Sequence, residues 1–342
     1  MTFIIAEIGV NHNGELAKAL ELVEASSRAG ASAAKFQTFN AAALAAPNTG
    51  TVAYQKASGA DDQFAMLKSL ELSEADHRVI ARRCAELGIE FMSTAFDSGS
   101  LDLLCDIGIK RIKVPSGEVT NFPYLSDCAR RGLPIILSTG MADLGEVREA
   151  VAFLRSVMPL PDAADAFELP SLTVLHCTSA YPTTYEDVNL SAMTTMAREL
   201  GVTVGYSDHT TGILVPPIAV ALGARVIEKH VTLDRMLPGP DHAASIEPGE
   251  LADMVSAISS AELLVGDGVK AARPAEYEAR ALVRRGLKAA RDLPAGTILQ
   301  EADIAILRPA TGLAPKFFYE TVGKQLRRPL SGGAPIGADD IR

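Results

Sequence analysis

A repeat constrains this chain more than any other feature. Eight times over, a short apolar run with β-branched residues is followed by a segment able to form a helix. The runs are FIIAEIGVN, SAAKFQTF, IEFMSTAF, RIKVPSGE, PIILSTG, LTVLHCTSAY, VTVGYSDHT and ARVIEKHV. Near-continuous apolar strands alternating with amphipathic helices call for a parallel sheet whose faces the helices cover. Eight units within roughly 265 residues suit a closed (β/α)8 TIM barrel better than an open sheet. No GxGxxG follows the first strand, which weighs against a dinucleotide-binding fold. The expected organisation is a barrel over 1–266, a linker over 267–284, and a small C-terminal β-rich domain over 285–342. Within that last part LPAGTILQEADI, from Leu293, resembles LSGGAPIGADDI, from Leu330, which suggests a pseudo-symmetric unit.

Local signals place several helices. Asn13-Gly14 marks a turn, and Leu16, Leu20, Val23 and Ser27 form one helical stripe behind it. Ser73 precedes a helical pattern that Gly88 ends, Asp143 stands three residues before Glu146, and Pro248 suits a first turn. The segment from Asn40 to Leu70 is longer than the usual connection of about 4–6 residues. It is expected to form a lid or a substrate-contacting loop. MPLPDAADAFELPS, ahead of the sixth strand, looks like a surface excursion.

Of the 342 residues 48% are apolar, enough for a sizeable core, and the net charge of −10 argues against nucleic acid or an anionic membrane as partner. An anionic ligand must therefore be met by local basic residues. No run approaches the roughly 20 apolar residues of a membrane span, and FIIAEIGV lacks the basic flank and length of a secretory signal. A cytoplasmic location is expected. Cys84, Cys105, Cys128 and Cys177 lie far apart without a CxxC pair, so they are expected to be reduced core thiols.

Barrels of this kind hold their chemistry at the C-terminal ends of the strands. There the chain places Glu7, Asn11 and His12; Lys35 and Gln37; Thr94; Lys113, Ser116 and Glu118; Ser138; Thr178, Ser179 and Tyr181; Ser207 and His209; Glu228 and His230; then Asp241 and His242. Strand ends that merely pack would not carry so many polar groups. Residues two apart on a strand face the same way, so Glu228 and His230 leave together, as do Ser207 and His209. Two neighbouring strands that each deliver a histidine make a candidate divalent-metal site. Lys35, Lys113, Thr94, Ser116, Ser138 and Ser207 make a receptor for phosphate or carboxylate, while rim lysines reaching solvent and hydroxyls capping helices account for them equally well one by one. Lys113 is out of step with Ser116 and Glu118, so Pro115 or a bulge must re-aim the chain. Glu7, Glu118 and Glu228 suit acid–base work, although an ion pair with a rim lysine is the plainer role for any one of them. His12, His176 and His242 have no matched partner, which favours structural or substrate-contacting roles.

Taken together, AEIGVNHNG, KFQTF, MSTAFD, KVPSGE, ILSTGM, HCTSAYPT, GYSDHT and EKHVTLD resemble, in this order, the sialic acid (N-acetylneuraminate) synthase family, and the likeness covers nearly the whole chain. The C-terminal part is similar to the antifreeze-like (SAF) domain of that family. The resemblance implies a PEP-utilising transferase that condenses phosphoenolpyruvate with an N-acetylhexosamine. It implies a divalent cation, Mn2+ or Mg2+, at His209 and His230. Phosphoenolpyruvate would be held by Lys35, Thr94, Lys113, Ser116, Ser138 and Ser207. The sugar would be held by Gln37, Ser179, Tyr181, Asp241 and Arg308, with Glu118, Glu7 and Glu228 as the catalytic carboxylates. Similar enzymes form a domain-swapped homodimer, in which Arg308 acts on the partner subunit's barrel.

The expected acceptor is N-acetylmannosamine or its 6-phosphate, with a 2,4-diacetamido-2,4,6-trideoxyhexose, giving legionaminic- or pseudaminic-type acids, as the alternative. Bacterial N-acetylneuraminate synthases often carry Asn where this chain has Ser179, and CTSAYP, GYSDHTTGI and DHAASIEPGEL look more like the animal and legionaminic-type enzymes. Two readings from other classes remain: a Schiff-base aldolase using Lys35 or Lys113, and a non-catalytic carbohydrate-binding protein. A likeness to antifreeze proteins does not imply ice binding.

Overall fold

The computed structural model describes residues 1–44, 63–158 and 169–342. The middle of the expected lid and most of MPLPDAADAFELPS lie outside the described residues. Eight parallel strands close into a barrel in chain order: β1 (Phe3–Gly9), β2 (Ala33–Thr38), β3 (Glu90–Ala95), β4 (Ile112–Val114), β5 (Ile135–Ser138), β6 (Leu172–Cys177), β7 (Thr203–Asp208) and β8 (Val226–His230). Closure is made by β1 on β8, in register from Phe3↔Val226 to Glu7↔His230.

Strand alternation sorts the side chains into two cores. Inward positions near the strand starts are apolar: Phe3, Ile5, Ala33, Met92, Ile136, Leu175 and Val226 fill the barrel floor with the loop residue Leu169. Outward positions such as Ile4, Ala6, Ile8, Phe36, Val114, Leu137 and Val174 pack on the helices. Each fully buried side chain of this size contributes about 1.5–3 kcal/mol. At the floor's underside Arg111 pairs with Glu90 at 2.7 Å and lies 4.4 Å from the Phe3 ring centroid.

The helices begin and end where their chemistry directs. Ser73 and Asp76 form a capping box before α4 (Glu74–Leu87), which follows α1 (Leu16–Arg28), α2 (Ala41–Leu44) and α3 (Gln63–Leu70) in the chain; Gly88, at φ 71°, terminates α4. Asp143 and Glu146 repeat the box before the helix Leu144–Val157, and Pro248 opens Pro248–Val265. The buried face of α1 differs from the expected stripe: it is centred on Ala19, Leu22, Val23 and Ser26, with Leu16, Leu20 and Ser27 at its margins. The small Ala19 and Ser26 let the helix lie close to the barrel, and Ser26 returns its hydroxyl proton to the Leu22 carbonyl. All four cysteines are free. Among the described residues no helix is long and apolar enough to cross a membrane.

The chain divides into two compact units, Met1–Gly266 and Asp267–Arg342. In the second, β9 (Gly286–Ala289) pairs antiparallel with β10 (Ile304–Leu307) over a core that includes Leu287, Leu293, Leu326 and Leu330. Its internal repeat is physical. Leu293 and Leu330 exchange backbone hydrogen bonds of 2.8 and 2.9 Å, and Arg291–Asp303 at 2.7 Å is matched by Arg328–Asp340 at 2.6 Å.

Candidate active site

Two residues beyond the last floor position on six strands, the same inward face changes character: Ile5 gives way to Glu7, Ala33 to Lys35, Met92 to Thr94, Ile136 to Ser138, Leu175 to Cys177 and Val226 to Glu228. These side chains converge at the C-terminal mouth, where Glu7, Lys35, Lys113 and Glu228 form one buried ion cluster. Lys35 Nζ lies 2.5 Å from Glu7 Oε2 and 3.5 Å from Glu228 Oε2, and donates to Thr94 Oγ1 at 3.0 Å. Lys35 is thereby held between two carboxylates and a hydroxyl. Glu228 Oε1 accepts from Lys113 Nζ at 3.2 Å and from Ser207 Oγ at 2.9 Å.

The two carboxylates are pushed apart by their surroundings. Burial, with Glu228 nearby, raises Glu7 to about 7 against the pull of Lys35 and Lys113. Glu228 is buried too, yet Lys113, Lys35 and the Ser207 hydroxyl outweigh that and hold it well below the usual carboxylate range. Burial alone would depress Lys35, but Glu228 and Glu7 more than compensate and its pKa is raised; at Lys113 burial prevails and the pKa is lowered. The ordinary ion-pair role of both carboxylates is thus realised, and Glu7 is left poised to gain or lose a proton near neutral pH.

Across the mouth stand the imidazoles of His209 and His230, with ring centroids 5.6 Å apart. His209 Nδ1 lies 2.7 Å from the Thr178 carbonyl oxygen, so this nitrogen carries the proton and Nε2 keeps its lone pair. His230 Nδ1 is buried without a hydrogen-bond partner among the described residues, and Asp241 Oδ2 lies 3.9 Å from it. Burial holds His209 below the usual imidazole range; His230 is held well below it by burial and by His209, so both rings are neutral. Burial also raises Asp241 to about 6. Among the described residues no three or more His, Cys, Asp or Glu side chains are gathered closely enough to hold a metal ion. The donor set is two neutral imidazoles, fewer protein ligands than a structural site uses, so a divalent cation held there would complete its shell with water or substrate.

The remaining expected residues divide. Tyr181 packs on the imidazoles, its ring 4.2 Å from His209 and 5.8 Å from His230. Gln37 joins Glu7 and His230 around Gly9: a Cβ there would lie 3.2 Å from Glu7 Oε1, 3.3 Å from Gln37 Nε2 and 3.4 Å from His230 Cε1. With φ at 55°, Gly9 is also where the β1 ladder slips. Ser138 Oγ is buried and unpartnered among the described residues. Pro115 ends β4, and Ser116–Glu118 form a 3-10 turn that re-aims the chain as the spacing required. Ser116 Oγ accepts from the Gly140 amide at 2.9 Å and sits 3.3 Å from Cys177 Sγ; a Cβ on Gly140 would lie 2.3 Å from Ser179 Oγ. Glu118, half-buried, accepts from Asn121 Nδ2 at 2.6 Å and has no hydrogen bond to the ion cluster. Arg308 is exposed at the end of β10 in the second unit.

The unmatched histidines have local partners: His12 Nδ1 accepts from the Gly14 amide, His176 Nε2 faces the Val188 carbonyl, and His242 bonds Thr232 and Asn13. Sequence reasoning missed Gly140 and the buried Asp208–Lys229 pair at 2.7 Å. A lysine between Ile227 and Val231 on the outward face of RVIEKHV was the available signal for the pair.

Fold and mouth together define a (β/α)8 protein with a charged, ligand-ready rim. The chain belongs to the NeuB family, whose profile matches residues 22–270, and an SAF domain matches 284–342. It is 50% identical over 336 residues to the N,N'-diacetyllegionaminic acid synthase of Legionella pneumophila, covering 98% of this chain and 93% of that one. Human N-acetylneuraminate-9-phosphate synthase is 34% identical over 332 residues, 95% of this chain and 88% of that one. The crystal structure of the Leptospira borgpetersenii N-acetylneuraminic acid synthetase, in complex with citrate, superposes with a TM-score of 0.71 at 34% identity, covering 81% of this chain and 90% of the other.

Proposed function

We propose that this chain is a nonulosonate synthase that joins C3 of phosphoenolpyruvate to C1 of an open-chain 2,4-diacetamido-2,4,6-trideoxymannose, giving a legionaminic-type acid and phosphate. The observation that carries the choice of acceptor is the 50% identity to a diacetyllegionaminic acid synthase, against 34% to the 9-phosphate synthase. This reverses the order expected from sequence, where N-acetylmannosamine or its 6-phosphate came first.

The chemistry follows from the mouth. Among the described residues Lys113 has one carboxylate partner, which leaves donor capacity for an anion, and Ser138 and Ser116 have hydroxyls to turn toward it. Lys35, fixed between two carboxylates, supplies a second positive charge without moving. Its ammonium state is the wrong one for a Schiff base. His209 Nε2 and His230 Nδ1 would hold a Mn2+ or Mg2+ ion, which when bound supplies Lewis-acid polarisation of the sugar aldehyde. Tyr181, Gln37 and Asp241 border the imidazoles and would orient the acceptor. Attack by C3 leaves positive charge at C2, which water captures. Glu7, with a pKa of about 7, is placed to take that water's proton, and Glu118 stands on the rim as a second acceptor. Collapse of the tetrahedral intermediate then breaks the C2–O bond and releases phosphate.

The test is a mass-spectrometric product assay with phosphoenolpyruvate, Mn2+ and four acceptors: N-acetylmannosamine, its 6-phosphate, mannose 6-phosphate and 2,4-diacetamido-2,4,6-trideoxymannose. The last is expected to give the highest kcat/KM; preference for N-acetylmannosamine or its 6-phosphate would restore the original order. Trapping of a pyruvate adduct by borohydride, with activity surviving chelator, would instead indicate the aldolase.

We also propose that the active form is a homodimer in which Arg308 acts on the partner subunit's barrel. Mixing Lys35→Met with Arg308→Ala chains tests this. A swapped dimer rebuilds one intact site per mixed pair, so about one quarter of native activity returns; an Arg308 acting in its own subunit restores none.

A further inference from the structure

Behind the two imidazoles, on the face of the barrel wall turned away from the mouth, lies a charge pair that the proposed chemistry does not use. Asp208 and Lys229 are opposed across β7 and β8 and are 1% and 0% exposed. At the outward positions next to the mouth, β1, β2, β4 and β5 carry Ile8, Phe36, Val114 and Leu137, packed in the outer core, and β3 and β6 carry the neutral Ser93 and His176, so the charge pair is the exception. Apolar side chains of similar volume in place of a buried ion pair are often neutral or stabilising, so stability alone gives no reason for the exception.

What the pair touches supplies one. Asp208 Oδ1 accepts the Thr210 amide at 3.0 Å, and Oδ2 accepts the Thr210 hydroxyl at 3.1 Å and Lys229 Nζ at 2.7 Å. Lys229 also donates to the Thr210 carbonyl. Every polar atom of the residue after His209 is thereby held by this one pair. On the near side of the same turn, the Thr183 amide donates to the His209 carbonyl at 2.9 Å, and Thr183 bridges Thr210 in parallel register. Lys229 is itself the residue before His230. The pair therefore clamps the backbone that follows one imidazole to the backbone that precedes the other.

We propose that Asp208 and Lys229 are positioning residues that fix the separation of His209 and His230 and, through the Thr210–Thr183 bridge and the Thr183 hydroxyl on the Thr178 carbonyl, keep His209 in the Nδ1–H tautomer that frees Nε2 for a divalent cation. This rests on the reading of the two histidines as cation ligands, although half of its test does not require metal.

The experiment compares the full-length parent with Asp208→Leu/Lys229→Met, in which the strap is replaced by apolar side chains of similar length. Calorimetry with Mn2+ alone and with phosphoenolpyruvate alone gives two affinities, and imidazole 15N shifts of the metal-free protein report the His209 tautomer. The expected result is a folded variant melting within a few degrees of the parent, with Mn2+ bound at least tenfold more weakly, phosphoenolpyruvate affinity within twofold, and His209 in mixed tautomers. A folded variant with unchanged Mn2+ affinity and an unchanged tautomer overturns the proposal, since a purely structural pair moves only the melting temperature.

Should the double variant not fold, Asp208→Asn decides in its place. It keeps an acceptor for Thr210 and loses the charge. Mn2+ affinity at least threefold weaker with phosphoenolpyruvate affinity retained supports the strap; no change overturns it. A parent that binds no Mn2+ contradicts the cation site itself, and the tautomer comparison then decides the strap by itself.

Discussion

The floor and the mouth of this barrel are built from the same strands, on the same inward face, one alternation apart. At the floor, Phe3, Ile5, Met92, Ile136, Leu175 and Val226 are buried with no titratable group among them. At the mouth, Glu7, Lys35, Lys113, Glu228, His209 and His230 are equally buried, and their proton affinities are displaced in both directions. Burial is therefore not what separates them. The floor gains free energy from leaving water, whereas the mouth holds charges whose desolvation is offset only by one another. A site of that kind is already desolvated and preorganised for an anion before one arrives.

If this contrast is right, equal damage at the two levels must have opposite consequences. Lys35→Met removes a buried charge contact worth about 4 kcal/mol, so kcat/KM with phosphoenolpyruvate should fall about 10^3-fold. Its melting temperature should change little, because Glu7, already near 7, can take a proton where it loses its partner. Leu175→Ala, one alternation below Cys177, should cost about 2–5 kcal/mol in denaturant unfolding and leave kcat/KM within a few-fold. Steady-state kinetics and urea melts on the two variants check both halves; a Leu175→Ala enzyme that keeps its stability and loses its activity would erase the distinction.

A smaller effect sharpens the contrast through pH. All six histidines are held below the usual imidazole range, chiefly by burial, His12 at about 4. The unfolded chain therefore binds more protons than the folded one as pH falls below about 6.5, and stability declines. Glu7 and Asp241, raised to about 7 and 6, act oppositely: what they contribute is present at low pH and is lost as pH rises through those values. Six groups against two predict a metal-free melting temperature that drops from pH 7 to pH 5 in scanning calorimetry. A rise over that interval would show that the mouth carboxyls dominate.

Much of the architecture was legible because its signals are local and periodic. Strand-like runs recur eight times, Ser73 and Asp143 announce their helices, and residues two apart on ARVIEKHV must share a face. The polar mouth was legible for the same reason. What was not legible depends on pairing across the fold. The face of α1 shifted because Ala19 and Ser26, small rather than strongly apolar, decide how near the helix can lie. The alternation of RVIEKHV marked Lys229 as facing outward, but only its rung opposite Asp208 shows an ion pair instead of a solvated charge. Glu118 was grouped with the central carboxylates, yet the 3-10 turn after Pro115 gives it Asn121 as partner. The order of the acceptors was not legible, because sugars of this class differ by single substituents that a few contacts distinguish.

The most direct measurement follows oxygen. Phosphoenolpyruvate carrying oxygen-18 in the bridging position is turned over with Mn2+ and the best acceptor, and both products are analysed by mass spectrometry. A mouth that captures water at C2 and breaks the C–O bond must deliver the label to phosphate. Label retained in the keto acid would mean that the P–O bond breaks, and would contradict the roles assigned here to Glu7, Lys35 and Lys113.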